Sequence, residues 1–208
     1  MLDNIITFSF FTLALAISPG PDNIFVLTQS VARGAKYGIA IASGLITGCI
    51  VHTSLVALGF AVIIRDNEWL LWTIKIAGAA YLLFLAYKIY RAPAEINIDN
   101  DNRSSKGLWQ LYRVGITMNL LNPKVTLFFL AILSQFVIPE LQYPEWVQIY
   151  ILGSVFMLIS LIVFYAIALL AGQVSSLIRS SKWFEPVMKW LQIVVFVVIA
   201  ILVLIPNS

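Results

Sequence analysis

Two short stretches decide how this chain reads: Ser18-Pro19-Gly20-Pro21-Asp22-Asn23 and Asn119-Leu120-Leu121-Asn122-Pro123-Lys124. Each interrupts a long apolar run with proline and polar residues, and each sets a charged residue directly after a proline. Proline has no N–H and frees a carbonyl at the preceding turn, so a helix broken this way carries polar backbone groups that lipid cannot satisfy. Those groups must face protein, water or a bound solute. A restarted helix N-terminus carries positive partial charge and suits a carboxylate, while unwound carbonyls suit an ammonium or a proton carrier. A zwitterionic amino acid needs both.

Around these breaks the chain is strongly apolar. Of its 208 residues 61% are hydrophobic and 11% charged, against about 25% charged in an ordinary soluble domain. The mean hydropathy is +0.93, which excludes a water-soluble globule. Apolar segments fall at 4–30, 38–64, 69–90, 111–138, 147–171 and 184–205. Since a spanning helix uses about 20 residues, they predict an all-α membrane protein with six transmembrane helices in one transporter domain, 1–208. A five-crossing variant, with the broken first segment not fully spanning, is the alternative. No length remains for a soluble accessory domain.

Setting Pro21 against Pro123 brings Asp22 opposite Lys124 and lays segment 38–64 on 140–166. The expectation is two three-helix repeats, 1–91 and 111–208, joined by a polar loop over 92–110. Three crossings per half invert the second copy, so the broken helices are the first and the fourth. The eleven residues from Arg113 to Lys124 rise roughly 16 Å, about half of the hydrocarbon core, and the count from Arg33 back to Asp22 is the same. Both breaks are thus expected at the midplane.

Connections one, three and five hold Arg33, Lys36, Lys88, Arg91, Arg103, Lys106, Arg113, Arg179 and Lys182, against Arg65 on the other side. This asymmetry predicts odd connections in the cytoplasm and both termini outside. Basic residues so scattered argue against nucleic-acid binding. Trp69, Trp72, Tyr87, Tyr90, Trp109, Tyr112, Tyr143, Trp146 and Trp183 lie near the segment ends, as interfacial anchors do. Met1-Leu2-Asp3-Asn4 has no basic leader, so residue 1 onward is read as mature protein. A single cysteine, Cys49, allows no intrachain disulfide or redox pair, and with one histidine a transition-metal site has poor ligand supply. No cofactor is expected.

Gly44, Gly48 and His52 recur every four residues and share a helix face. The glycines suit close packing, within the bundle or against a second copy in a homodimer. An intramembrane histidine is a candidate proton carrier. Lys75 shares a face with Gly78, Ala79 and Leu82, either lining a cavity or snorkelling outward.

In Ser18-Pro19-Gly20-Pro21-Asp22-Asn23, the glycines around Gly44 and Gly48 with His52, the run from Lys75 through Gly78 to Leu82, and Asn119 with Asn122-Pro123-Lys124, the chain resembles the LysE/RhtB family of bacterial amino-acid exporters. The resemblance covers nearly the whole chain. It implies a 3+3 inverted-repeat bundle in the bacterial inner membrane that exports amino acids using the proton gradient. The branch it looks most like handles homoserine, threonine, homoserine lactone or leucine-like neutral substrates. Some members of that branch lack an acid after the first proline pair, so the role of Asp22 rests on its depth.

The expected substrate site is Pro19, Gly20, Pro21, Asp22, Asn23, Asn119, Asn122, Pro123 and Lys124. Lys124 is expected to meet the carboxylate. Asp22 is expected to meet the ammonium or to take the coupled proton, with His52 as the other proton candidate. Gly44, Gly48, Lys75 and Gly78 are expected to line the cavity or pack beside it. A passive channel would need a filter motif or charge rings, which the sequence lacks. An enzyme would need a catalytic motif such as G-x-S-x-G or H-E-x-x-H, and a primary pump a phosphate-binding loop; none is present.

Overall fold

The structure, a computed structural model, describes residues 2–18, 20–60, 67–91, 107–138, 141–173, 176 and 183–204. Pro19, Arg65, the polar loop over 92–106, Arg179 and Lys182 lie outside the described residues, and with them much of the charge asymmetry.

The described elements are helical, with no strand among them. In order they are α1 (Leu2–Ile17), α2 (Pro21–Arg33), α3 (Ala35–Leu55), α4 (Glu68–Arg91), α5 (Leu108–Leu121), α6 (Pro123–Leu127), α7 (Glu145–Leu169) and α8 (Phe184–Leu204). A π-helical turn, Val56–Phe60, extends α3 and is kinked at Gly59, whose φ is 124°, and α6 runs on through a π-helical turn, Phe128–Ile132, and a 3-10 turn, Leu133–Phe136. Every apolar segment expected from the sequence contains a helix, with ends shifted by a few residues.

Both proline stretches are bends. α1 and α2 meet at 56°, and α5 meets the Lys124–Phe136 helix at 53°. Ala35–Gly59 and Glu145–Leu169 are each long and apolar enough to cross a membrane, and each bent pair passes that test as one broken span. Among the described residues this makes two to four crossings, where the sequence predicts six. The segments at 69–90 and 184–205 are α4 and α8, which pack chiefly on each other.

Local chemistry sets the ends. Pro21 and Pro123 open α2 and α6 at the first helical position, where a missing N–H costs nothing and φ is already helical. α2 stops at Gly34, whose φ of 102° lies in the left-handed region, and the chain re-enters a helix at Ala35. Before α7, the Gln148 side chain closes the turn. Its amide nitrogen donates to the carbonyls of Ile138 (2.9 Å) and Tyr143 (3.0 Å), and its oxygen accepts the Ile138 N–H (2.9 Å).

α3 is central, packed on α5, α7 and α2. The glycine face expected on α3 turns toward α5. A Cβ at Gly44 would collide with the Tyr112 carbonyl oxygen, one at Gly115 with the Ile41 carbonyl oxygen, and one at Gly48 would come 2.6 Å from Asn119 Oδ1. The two backbones touch, as in small-xxx-small crossings. Gly44 and Gly48 therefore pack inside this chain. Hydroxyls tie the same helix sideways, Ser43 to Tyr165 and Thr47 to Tyr112, each at 2.9 Å. Phe8, Phe128, Phe129 and Phe156 fill the core between α1, α6 and α7. Large apolar side chains such as Leu58, Leu121 and Ile162 face outward, as a lipid-facing surface requires.

The α3–α5 crossing gives a direct prediction. Gly115→Val must push apart backbones that are in contact and is expected to cost about 1–3 kcal/mol or more, by overpacking. Gly107→Ala, where nothing lies within 4 Å of the added methyl group, is expected to stay within about 0.5 kcal/mol. Thermal unfolding of the detergent-purified protein measures both.

Candidate functional site

The two bends meet. Helix α1 ends just before the first proline pair, and a proline at 19 has no N–H to give the Leu15 carbonyl four residues earlier. The donor comes from the other half of the chain: Lys124 Nζ donates to the carbonyls of Leu15 (2.9 Å) and Ser18 (3.2 Å). Asn23 Nδ2 donates to the neighbouring carbonyl of Ala16 at 2.7 Å. The ring of Phe196 on α8 covers the ammonium, 5.6 Å from the ring centre. A Cβ at Gly20 would lie 3.8 Å from Lys124 Nζ.

Asn122 joins Asp22 to the second bend. Its Nδ2 donates to Asp22 Oδ2 at 2.6 Å, and its Oδ1 accepts the Lys124 backbone N–H at 3.0 Å, capping α6. The first turn of α2 has no such cap, since Gly20 stands at that position. Asp22 and Lys124 are both buried, 7% and 8% exposed. Opposite charges taken out of water together are tolerable when hydrogen bonds satisfy them, and here each has such partners.

The second bend repeats the problem. Pro123 has no N–H for the Asn119 carbonyl, and that oxygen accepts the backbone N–H of Asn122 (3.0 Å) and lies 3.4 Å from His52 Nε2. The His52 ring stacks on Phe129, with centroids 5.5 Å apart. Asn119 Nδ2 points to Cys49 Sγ at 3.4 Å. Gly48 leaves the room that Asn119 occupies.

The structure thus brings Gly20, Asp22, Asn23, Asn122 and Lys124 to one junction, opened by Pro21 and Pro123, with Asn119 and His52 on its α3–α5 side. Lys124, expected to meet a carboxylate, is hydrogen-bonded to the carbonyls of Leu15 and Ser18. Lys75 does not snorkel: it is 5% exposed, with its ammonium 5.4 Å from the centre of the Trp72 ring. Gly78 is buried beside it on α4. Sequence reasoning does not single out Leu15, Ser18 and Phe196 as partners of Lys124. Spacing from Pro19 points to Leu15, while nothing in the sequence points to Phe196. Ser18 Oγ, Thr12 Oγ1 and Asn119 Oδ1 are buried without a hydrogen-bond partner. Among the described residues no three His, Cys, Asp or Glu side chains gather as a metal ion would need.

The family described as LysE type translocator matches residues 13–207 of the chain. The homoserine/homoserine lactone efflux protein of Salmonella typhimurium LT2 is 32% identical over 169 residues, 81% of this chain and 80% of that protein. A cysteine/O-acetylserine efflux protein of the same strain is 33% identical over 138 residues, 66% of this chain and 67% of that protein. An uncharacterized membrane protein of Bacillus subtilis 168 is 29% identical over 177 residues, 81% of this chain and 83% of its own. No solved structure matches.

The Asp22–Asn122 contact is open to measurement. In a double-mutant cycle with Asp22→Asn and Asn122→Ala, the coupling is expected at about 1–3 kcal/mol, typical of a buried hydrogen bond to a charged group. Asn122→Ser, which keeps a cap for α6, is expected to recover some of the stability lost in Asn122→Ala. Unfolding midpoints of the purified variants give all of these values.

Proposed function

The chain belongs to the LysE type translocator family, and we propose that it exports a small neutral amino acid or derivative, of the homoserine, threonine or leucine-like kind, coupled to inward proton movement. As a family member it is a membrane-embedded transporter and not an enzyme. Amino-acid export is supported by the efflux proteins among its relatives. The observation that carries the reading to particular residues is the junction of the two bends. There one buried carboxylate and one buried ammonium from opposite halves share Asn122 and the broken ends of α1 and α2.

In this reading a zwitterionic substrate sits at the junction. Its carboxylate goes to the uncapped first turn of α2, where N–H groups and the helix dipole favour an anion. Its ammonium goes to Asp22 or to the carbonyls of the unwound segment. Asp22 and His52 are the proton candidates, because buried titratable groups within a membrane mark ion and proton paths. The wider frame is six crossings as two inverted halves in the bacterial inner membrane, with both termini outside and one half rocking against the other.

Export from cells tests the proposal. Cells expressing the chain and loaded with homoserine are expected to clear it faster than control cells, and to lose the advantage when a protonophore collapses the gradient. Asp22→Asn and Lys124→Ala at normal abundance are expected to export at the empty-vector rate. Export at the unmutated rate would remove those residues from the site, and export that survives the protonophore would make the chain a passive channel.

A further inference from the structure

We infer that the carbonyl oxygens of Leu15 and Ser18 form a binding site for a primary ammonium group, which Lys124 fills when no substrate is present and which a substrate's α-ammonium takes in its place. The inference rests on the reading above that the chain carries amino acids, and it names the groups that hold the substrate's amino end.

The site is built by the first bend. With no donor from residue 19, the Leu15 carbonyl is open, and the Ser18 carbonyl lies beyond the last turn of α1. At the C-terminal end of a helix such oxygens carry negative partial charge and favour a cation. What they hold is an ammonium on a flexible stem from the opposite half, at 2.9 and 3.2 Å, under the Phe196 ring at 5.6 Å. Two carbonyls and an aromatic face would receive the ammonium of a free amino acid equally well. The neighbouring hydroxyl supports an incoming ligand: Ser18 Oγ is buried and has no partner. Gly20, where a Cβ would already touch Lys124 Nζ at 3.8 Å and the Ser18 carbonyl oxygen at 3.9 Å, keeps the uncapped start of α2 close by. The substrate's two charged ends therefore have receivers at the end of α1 and at the start of α2.

Competition for one site yields exchange. Lys124 as an ammonium occupies the carbonyls; when it gives its proton to water it leaves them, and the substrate's ammonium restores one positive charge there. A proton arriving from outside recharges Lys124, which reclaims the carbonyls and expels the substrate. Proton and amino acid thus alternate at a single place. Among the described residues, the other titratable groups around this junction are Asp22 from α2, held through Asn122, and His52 and the Cys49 thiol from α3, both at Asn119. α8 presents the Phe196 ring, α7 buries the non-titrating Gln148 and Ser160, and Lys75 of α4 lies by Trp72.

The full chain in liposomes, exchanging labelled for unlabelled L-homoserine at equal pH on both sides, gives the test. Lys124→Met removes the competitor while keeping an unbranched side chain. It is expected to lower the homoserine concentration for half-maximal exchange about tenfold, as follows if the ammonium holds the site nine-tenths of the time. The variant is also expected to lose the pH dependence of exchange and the net efflux driven by a pH gradient. A half-saturating concentration that rises in Lys124→Met overturns the inference, because Lys124 would then be a partner of the substrate's carboxylate. The unmutated chain gives a second reading that needs no variant to fold. Aminopropanol, which is homoserine without its carboxylate, is expected to inhibit exchange more strongly than γ-hydroxybutyrate, which lacks the ammonium. The reverse order overturns the ammonium site. If the unmutated chain moves no neutral amino acid at all, the transport reading fails and this inference with it. That outcome is distinct from persisting exchange that Lys124→Met shifts the wrong way.

Discussion

A proline inside an apolar helix withdraws one N–H, and the carbonyl four residues earlier must find a donor that lipid cannot supply. Two carbonyls so placed are Leu15, before Pro19, and Asn119, before Pro123. Each has a side chain of the opposite half of the sequence beside it: Lys124 donates to Leu15, and His52 Nε2 lies 3.4 Å from the Asn119 oxygen, which also accepts the Asn122 backbone N–H. The repair is reciprocal, and it stitches the halves together where both are weakest. Asn122 belongs to the same repair, because it caps the helix that Pro123 restarts and turns its other end to Asp22.

This arrangement needs the helices to come close. His52 reaches across to Asn119 because Gly44, Gly48 and Gly115 remove the side chains that would hold α3 and α5 apart. Backbone contact brings little hydrophobic gain in a membrane, where lipid is as apolar as leucine; its value is van der Waals contact and polar reach. The phenylalanines around α6 and α7 do complementary work, filling space beside the bends without offering hydrogen bonds of their own.

Much of this is legible in the sequence, for identifiable reasons. Apolar runs and the two proline stretches locate the helices and both bends, because hydropathy and the missing N–H act locally. The Gly44, Gly48, His52 face is readable from a period of four, although only the structure shows that α5 covers it. Lys124 stands out in the sequence, yet its partners do not: depth and charge suggest a carboxylate, whereas the nearest acceptors are backbone oxygens, which no residue name advertises. Phe196 and the Gln148 clasp on Ile138 and Tyr143 depend on which distant helices pack together, and that is set by the whole bundle. Lys75 shows the limit of reasoning from position alone, since a place six residues inside a helix serves snorkelling and burial equally until the Trp72 ring is seen beside it.

The contact between Gly44 and Gly115 has a mechanical consequence. α3 belongs to the first half of the sequence and α5 to the second, yet their backbones touch with no side chain between them to act as a cushion. Elements packed through long side chains can slide by changing rotamers, whereas bare backbones have nothing to give. They can turn about the point of contact but cannot be sheared past it. In the rocking of one half on the other proposed above, this crossing is the natural fulcrum, because it is the contact that can turn without sliding.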